Sequence, residues 1–312
     1  MTRRLVGWAA TAAASVTAAL TVIGFLGGLW WGFDLVANFR VQYALVLGVV
    51  SATLALLRWW RATGVAAVAL MMNVFLIAPL YLDTPTAPLD QARLEILSFN
   101  VNAWNPNRTE IASYITASGA DIVLLHEITP AWERVLQEAD LPYRLVSARA
   151  THEQLGTAAL VREDMDTRVL QFGVPGSGSV EITLQFDGRE LEVLGTHPAS
   201  PVSSSSARAR DEQLAAIGEW ASVQQDPVVV VGDLNASTWS YGFRLVTKAG
   251  LLNSQRGYGV QPSWPAGRLL DAIPIDHLVH SPQLTTVDRH LGDPQGSDHY
   301  PLFVTLAWAA QS

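Results

Sequence analysis

The chain has 312 residues, no cysteine and a formal net charge of -8. Its length leaves room for two domains, and the lack of cysteine excludes disulfides and thiolate metal sites, so any metal must take oxygen and imidazole ligands. Charge is uneven: of 20 basic and 28 acidic residues, five and two lie within residues 1–83, leaving 15 against 26 in the remainder, a net of -11. That balance disfavours long-range attraction of a polyanion.

Three apolar runs come first, at about 5–31, 41–57 and 62–82. A membrane span takes roughly 20 apolar residues, within about 17 to 25, so all three qualify, the second at the lower limit. Trp30, Trp31, Trp59, Trp60 and Tyr81 stand at their ends, where interfacial aromatics collect. Core helices of a soluble protein are the competing reading, but nothing amphipathic interrupts the runs. The first run also has features of a signal peptide, against which its length argues. Arg3 and Arg4 precede the first run, and Arg58 and Arg61 separate the second from the third. The segment 32–40, read as a loop, carries one Asp and one Arg. Basic residues mark the cytoplasmic side. Three spans would therefore deliver everything after Leu82 to the outside of the cell membrane, with or without cleavage of the first segment.

Residues 83–90 read as a short, stiff, proline-containing linker, and a second domain is expected over 91–312. Residues 94–102 have strand character. A helix follows at 109–119, then a buried strand at 121–127. Thr129 and Pro130 stand in the order of an N-cap and first helical residue, opening a helix to about 139. Strands are expected near 143–149, 157–162, 167–172, 180–186 and 190–196, with Asp187-Gly188 as the hairpin turn before the last. Serines 203–206 cap a helix to about 224, with Leu214, Ile217 and Ala221 on one face. The run Val228–Val231 reads as a strand buried on both faces, with Gly232 as its exit. A helix at 241–249 and strands at 277–280, 285–289 and 302–308 complete the domain. Strand runs interleaved with helices predict an α/β or α+β arrangement of helix-covered sheets.

Polar residues gather where strands end. Asn100 and Asn102 close the first, His126 and Glu127 the second, and His197 follows the strand at 190–196. Asp233 and Asn235 leave the valine strand on the same side, being separated by one residue. Asp276 opens the strand at 277–280, and Asp298 and His299 precede the final one. Each has an ordinary alternative: an Asx turn for Asp233 and Asn235, a structural hydrogen bond for His197 or His299, a surface loop for Asp298. Together they have a chemical logic. Asn, Asp and Glu oxygens suit a hard cation such as Mg²⁺ or Mn²⁺, and a histidine beside a carboxylate can move a proton near neutral pH. Those are the parts of metal-assisted phosphate-ester hydrolysis.

The stretches Ser98-Phe-Asn-Val-Asn102, Leu124-Leu-His-Glu127, Gly195-Thr-His-Pro198, Gly232-Asp-Leu-Asn235, Ile275-Asp-His277 and Gly296-Ser-Asp-His299 resemble, in order, the motifs of the endonuclease/exonuclease/phosphatase superfamily, the deoxyribonuclease-I-like hydrolases. They span about residues 94–307. The resemblance implies a four-layer α/β sandwich, two mixed sheets with helices outside. It also implies roles: Asn100 and Glu127 at the metal, Asp298 at the metal or the nucleophile, Asp233 preparing the water, Asn235 at the phosphate, and His197 at a catalytic position where many members place a second histidine and others a tyrosine. Asp276 and His299 match an acid–histidine pair. Asn102 is a weaker candidate for substrate contact, at a position where members vary. The residue before the glutamate is commonly glutamine; here it is His126. Ser237-Thr-Trp-Ser240 and Pro262-Ser-Trp-Pro265 resemble membrane-attached members, and Trp239 and Trp264 either shape a substrate rim or fill the core.

The expectation is a membrane-anchored, Mg²⁺- or Mn²⁺-dependent phosphoester hydrolase acting on a lipid-linked, nucleotide or nucleic-acid substrate, with its bilayer contact through three spans. An endonuclease acting on DNA outside the cytoplasm, or a non-catalytic binding module of the same fold, are the alternatives. The sequence indicates no protein partner.

Overall fold

The computed structural model describes residues 2–82, 91–148, 156–173 and 178–310; the expected linker at 83–90 lies outside them. The first part is helical: α1 (Thr2–Ile23, continued by a 3₁₀ turn at Gly24–Leu26), α2 (Trp31–Ala37), α3 (Arg40–Leu56), α4 (Trp60–Ile77) and α5 (Pro79–Leu82). Small residues let these helices approach, with Ala14, Leu47, Leu54, Ala66 and Ala69 buried between them. Leu45, Val49 and Phe75 point outward and are 67%, 69% and 79% exposed. The outward face is thus apolar, the inverse of a soluble helix bundle.

Three continuous spans are not what forms. Thr2–Leu26 and Trp60–Ile77 are each long and apolar enough to cross a membrane, whereas α2 and α3 meet that requirement only as a pair bent by 63°. The expected loop at 32–40 is largely the helix α2. Asp34, which looked like a loop charge, is buried in it and accepts a hydrogen bond from Arg210 at 2.7 Å.

The second part contains β1 (Leu94–Asn100), α6 (Arg108–Ser118), β2 (Ile122–His126), α7 (Pro130–Glu138), β3 (Arg144–Ala148), β4 (Thr157–Val161), β5 (Asp166–Gln171), β6 (Gly178–Phe186) and β7 (Arg189–Gly195). It continues with α8 (Ser204–Val223), β8 (Val228–Asp233), α9 (Tyr241–Thr247), β9 (Leu252–Asn253), β10 (Asp276–His280), β11 (Leu284–Leu291) and β12 (Leu302–Trp308). Local chemistry sets the boundaries. The Thr129 side chain caps α7 ahead of Pro130, and Ser203 with Ser206 forms a capping box on α8. Asp187 and Gly188 both take positive φ, as a tight two-residue hairpin between β6 and β7 requires.

Two six-stranded mixed sheets result, ordered β11-β12-β1-β2-β4-β3 and β5-β6-β7-β8-β10-β9. Each holds a parallel pair, β1 with β2 and β7 with β8. Strand alternation distributes the side chains between layers. Ile96, Ile122, Leu124, Val229 and Val231 fill the core between the sheets. Leu97, Phe99, Val123 and Leu125 face α6 and α7. Val228 and Val230 face α8 and α9, with Leu214, Ile217 and Ala221. The valine run is therefore buried on both faces. The layers are helix, sheet, sheet, helix, as the resemblance implied.

Gly232 does not end its strand; it lies within β8 in register with His277. A Cβ there would sit 1.9 Å from the Thr196 carbonyl oxygen, so glycine is what lets the ends of β7 and β8 close together.

The helical part is docked on the sandwich by polar contacts at one end. Arg210 on α8 joins Asp34, both side chains being 1% exposed. Asn38 Oδ1 accepts from the Ser237 backbone at 3.4 Å. Gln42 donates to the Ala272 carbonyl at 3.0 Å, and Trp239 Nε1 to the Leu76 carbonyl at 3.1 Å. Removing one partner of a buried ion pair strands the other charge in a poor dielectric, typically at a cost of about 3–5 kcal/mol, whereas replacing both is far less harmful. Asp34→Leu or Arg210→Met alone should lower the thermal unfolding midpoint of the full chain in detergent markedly. The double variant should recover most of the loss, and additive losses would refute this account.

Candidate active site

Parallel pairing puts the C-terminal ends of β1 and β2, and of β7 and β8, at common edges. The antiparallel strands β10 and β12 begin at those same edges. Asn100, Glu127, His197, Asp233, Asp276 and His299 are thereby delivered to one place from six parts of the chain. In register, Asn100 faces His126, and Asp276 faces Asp233.

Hydrogen bonds knit the group together. His299 Nδ1–H donates to Asp276 Oδ2 at 2.9 Å, which leaves Nε2 directed at the site. That nitrogen lies 3.7 Å from Asp233 Oδ2, and His197 Nε2 lies 3.5 Å from the same oxygen. Asn100 Nδ2 has Glu127 Oε1 and Asp233 Oδ2 at 3.1 Å each and His299 Nε2 at 3.4 Å. Asn235 Nδ2 donates to the Pro198 carbonyl at 3.0 Å and lies 3.3 Å from His197 Nε2. The Asx turn is also present, since Asp233 Oδ1 accepts from the Asn235 backbone at 2.9 Å. The turn uses Oδ1 and leaves Oδ2 directed toward Asn100 and the two histidines. Asn102, Glu127 and Asn235 all take left-handed φ, a backbone cost that concentrates here rather than in the core.

A cavity of about 560 Å³ opens over these groups and exposes Glu127, His197, Asp233, Asn235, Asp298 and His299 on its wall. Asn100 and Asp276 stand directly behind it, each 1% exposed. Asn102 is off the wall and steadies Asp298, donating to Oδ1 at 2.8 Å. Trp239 does not reach the cavity. Its indole is bound to the end of α4, so the rim role expected for it falls instead to Trp264, which lines the cavity and donates to Asp298 Oδ2 at 3.1 Å. His126 is wholly buried, paired with Ser98 Oγ at 3.1 Å, and lies under the site.

Sequence reasoning missed several supports. Ser263 Oγ accepts the backbone N–H groups of Ile275 and Asp276 at 3.1 Å each. Arg289 donates to the Asp276 carbonyl at 3.2 Å, and Arg210 to the Asn235 carbonyl at 3.0 Å. Leu35 and Asn38, from α2, complete the cavity wall. Ser263 lay in a stretch already singled out; the other contacts join segments far apart in sequence and leave no local signal.

Burial and charge set the protonation states. Burial alone would lower the His299 pKa, but Asp276 and Asp233 outweigh it and hold it up to about 10. Burial, reinforced by the charge of Asp276, raises that of Asp233. Asp276 itself is lowered, because His299 overcomes the effect of its burial. His126 falls to about 3 through burial and the nearby His197, and His277 to about 3 through burial and Arg289.

The donor set suits a hard divalent cation. Asn100 Nδ2 lies between the carboxylates of Glu127 and Asp233, and Asp276 Oδ1 is buried with no hydrogen-bond partner. Asp233, Asp276 and His299 offer ligand atoms within 4.8 Å of one another. The resemblance instead put the metal at Asn100, Glu127 and Asp298. In the first group His299 and Asp276 are hydrogen-bonded to each other; in the second, Glu127 is bonded to Asn100 and Asp298 to Asn102 and Trp264.

Fold and site together define the class: an α/β sandwich with its polar groups collected at a shared sheet edge. The sequence pattern of the Endonuclease/Exonuclease/phosphatase family matches residues 97–299, and the chain belongs to that family. Comparison with curated proteins gives no match. Among solved structures, D. rerio TDP2 in complex with a single-strand DNA product is similar over 69% of this chain and 98% of its own, at 18% identity and a TM-score of 0.56. C. elegans TDP2 gives 86% and 93%, 17% and 0.57. The endonuclease/exonuclease/phosphatase from Beutenbergia cavernae DSM 12333 gives 70% and 72%, 20% and 0.56. At these identities the likeness concerns the fold.

The two neutral histidines make a pH prediction. Each binds a proton in the unfolded chain below its ordinary value of 6.5 but not in the folded one until about 3. The unfolded state therefore holds more protons across that window, and stability rises with pH through it. Denaturant unfolding of the full chain should show stability falling as pH drops from 6.5 toward 4.5. His277→Gln should make that fall shallower by roughly 1.4 kcal/mol per pH unit, and an unchanged slope would refute the assignment.

Proposed function

We propose that the protein is a membrane-anchored phosphoester hydrolase that uses a divalent cation, Mg²⁺ or Mn²⁺, with its catalytic domain on the extracytoplasmic side. The observation carrying the hydrolase reading is the convergence of Asp233, Asn100, Glu127 and the Asp276–His299 pair at one cavity. Glu127, Asn100 and Asp298 would hold the cation, which when bound supplies positive charge against the phosphoryl oxygens. Asp233 orients a water molecule and takes its proton as the water oxygen bonds to phosphorus. The raised pKa of this carboxylate makes it a better base near neutrality. Asn235 and His197 hold the phosphoryl oxygens. His299, kept as the imidazolium by Asp276, gives its proton to the leaving oxygen as the ester P–O bond breaks. One proton enters at Asp233 and one leaves from His299, so the products are an alcohol and the hydrolysed phosphate.

Duplex DNA suits this site poorly. Residues 84–312 carry 15 basic against 26 acidic residues, and Arg210, part of their nearest approach to a basic run, is buried in an ion pair. Membrane anchoring is supported by the outward apolar faces of α1, α3 and α4. The extracytoplasmic placement rests on Arg3, Arg4, Arg58 and Arg61 and on counting the bent α2–α3 pair as one span.

Hydrolysis by the full chain should require Mg²⁺ or Mn²⁺ and disappear with chelator, measured on plasmid DNA, an oligonucleotide, a phospholipid and a small chromogenic diester at one ionic strength. Asp233→Asn should lose on the order of a hundredfold or more in kcat, without rescue by metal. Glu127→Gln should be partly restored by excess cation. Full activity in chelator, or in Asp233→Asn, would overturn the mechanism. Topology has a separate check: a reporter fused after Ser312 should be active only outside the cytoplasm, and cytoplasmic activity would reverse the orientation.

A further inference from the structure

The cavity is not built by the catalytic fold alone. Leu35 and Asn38 form part of its wall, and both belong to the end of α2. Asn38 is 6% exposed and bonded to the Ser237 backbone. Four residues before it, Asp34 is fixed by Arg210, the same guanidinium that donates to the Asn235 carbonyl. The wall segment and the catalytic asparagine are thus held by one side chain. The cavity is of mixed character: its lining includes the polar Asp233, His197 and His299 and the apolar Leu35, Pro201, Val202 and Ile273.

The helical part meets the sandwich close by, where α4 finishes and α3 begins, through Gln42 to Ala272 beside the lining residue Ile273 and through Trp239 to Leu76. Leu269 and Leu270, on the turn between the lining residues Trp264 and Ile273, are 96% and 87% exposed. Val202 at the mouth is 81% exposed. Exposed leucines beside the end of an apolar bundle belong at a lipid surface.

We infer that α2 is part of the active site, and that the completed site takes a phospholipid phosphoester drawn from the bilayer, with its acyl chains beginning a few bonds from the phosphate. The phosphate sits against Asp233 and His299, and the first chain carbons run along Leu35, Pro201, Val202 and Ile273 toward the membrane. This rests on the phosphoester-hydrolase reading. It adds that residues before the linker select the substrate: Leu35 and Asn38 are specificity residues, and Asp34 is a positioning residue.

The test uses the full chain in phosphatidylglycerol nanodiscs containing a trace of phosphatidylglycerol with a diazirine near the start of its acyl chain. Photolysis should label peptides containing Leu35, Val202 or Ile273. Label confined to the outward faces of α1, α3 and α4 would overturn the inference. With Mg²⁺ present, Leu35→Trp and Leu35→Gln should lower the ratio of kcat/KM for phosphatidylglycerol over that for methyl 4-nitrophenyl phosphate by about tenfold or more, as expected for a changed apolar pocket. An unchanged ratio, including equal losses on both substrates, would overturn it. If the wild-type chain hydrolyses neither compound, the hydrolase reading falls, and the labelling pattern still decides whether lipid occupies this cavity.

Discussion

A buried guanidinium holds the molecule together. Arg210 points inward from a helix of otherwise ordinary polar character, meets Asp34 at 2.7 Å and bonds the carbonyl of Asn235 at 3.0 Å. Two desolvated charges are tolerated only with such complete satisfaction, and the neighbouring Asp211 accepts from the same group. That one group ties α2, through Asp34, to the residue after Leu234. Hydrophobic packing would hold each part as a unit, but it would not fix one against the other at the level of a single carbonyl.

The site is an electrostatic compromise of a similar kind. Asp233 and Asp276 face each other across paired strands, both 1% exposed. Neither could stay ionised alone at that depth. His299 lies within reach of both and takes up the imbalance: its raised pKa, the lowered one of Asp276 and the raised one of Asp233 are three expressions of one shared charge. Beneath them His126 is forced neutral, so it contributes a hydrogen bond to Ser98 without adding a second cation. Substitution of the family's usual glutamine by histidine at this point therefore leaves the charge of the site unaltered.

Much of this was legible in the sequence where the cause was local. Four adjacent valines mark a strand buried on both faces, Thr129-Pro130 an N-cap, and Asp187-Gly188 a hairpin, because each depends on neighbours in the chain. The strand-end polar residues were legible as a set, since a core does not choose them. What could not be read was long-range. Asp34 between apolar runs looks like a loop charge, and Arg210 beside Arg208 looks like surface; only the fold brings them together over 176 positions. Trp239 and Trp264 occur in similar polar contexts, and their fates divide on which backbone lies near each indole, a matter of tertiary packing that no spacing rule expresses.

The contact between Asp34 and Arg210 also shifts where the protein can be cut into parts. The covalent junction at residues 83–90 looks like a modular seam, yet a working half of each side crosses it: the acid that neutralises α8 lies before the seam, and the wall of the cavity comes with it. Exchange of the helical segment by recombination at that seam would succeed only between chains carrying an acid and a base at these two places. Positions 34 and 210 should therefore be inherited together, and substitutions at one should be accompanied by compensation at the other, as in the two halves of an obligate interface rather than an enzyme and its tether.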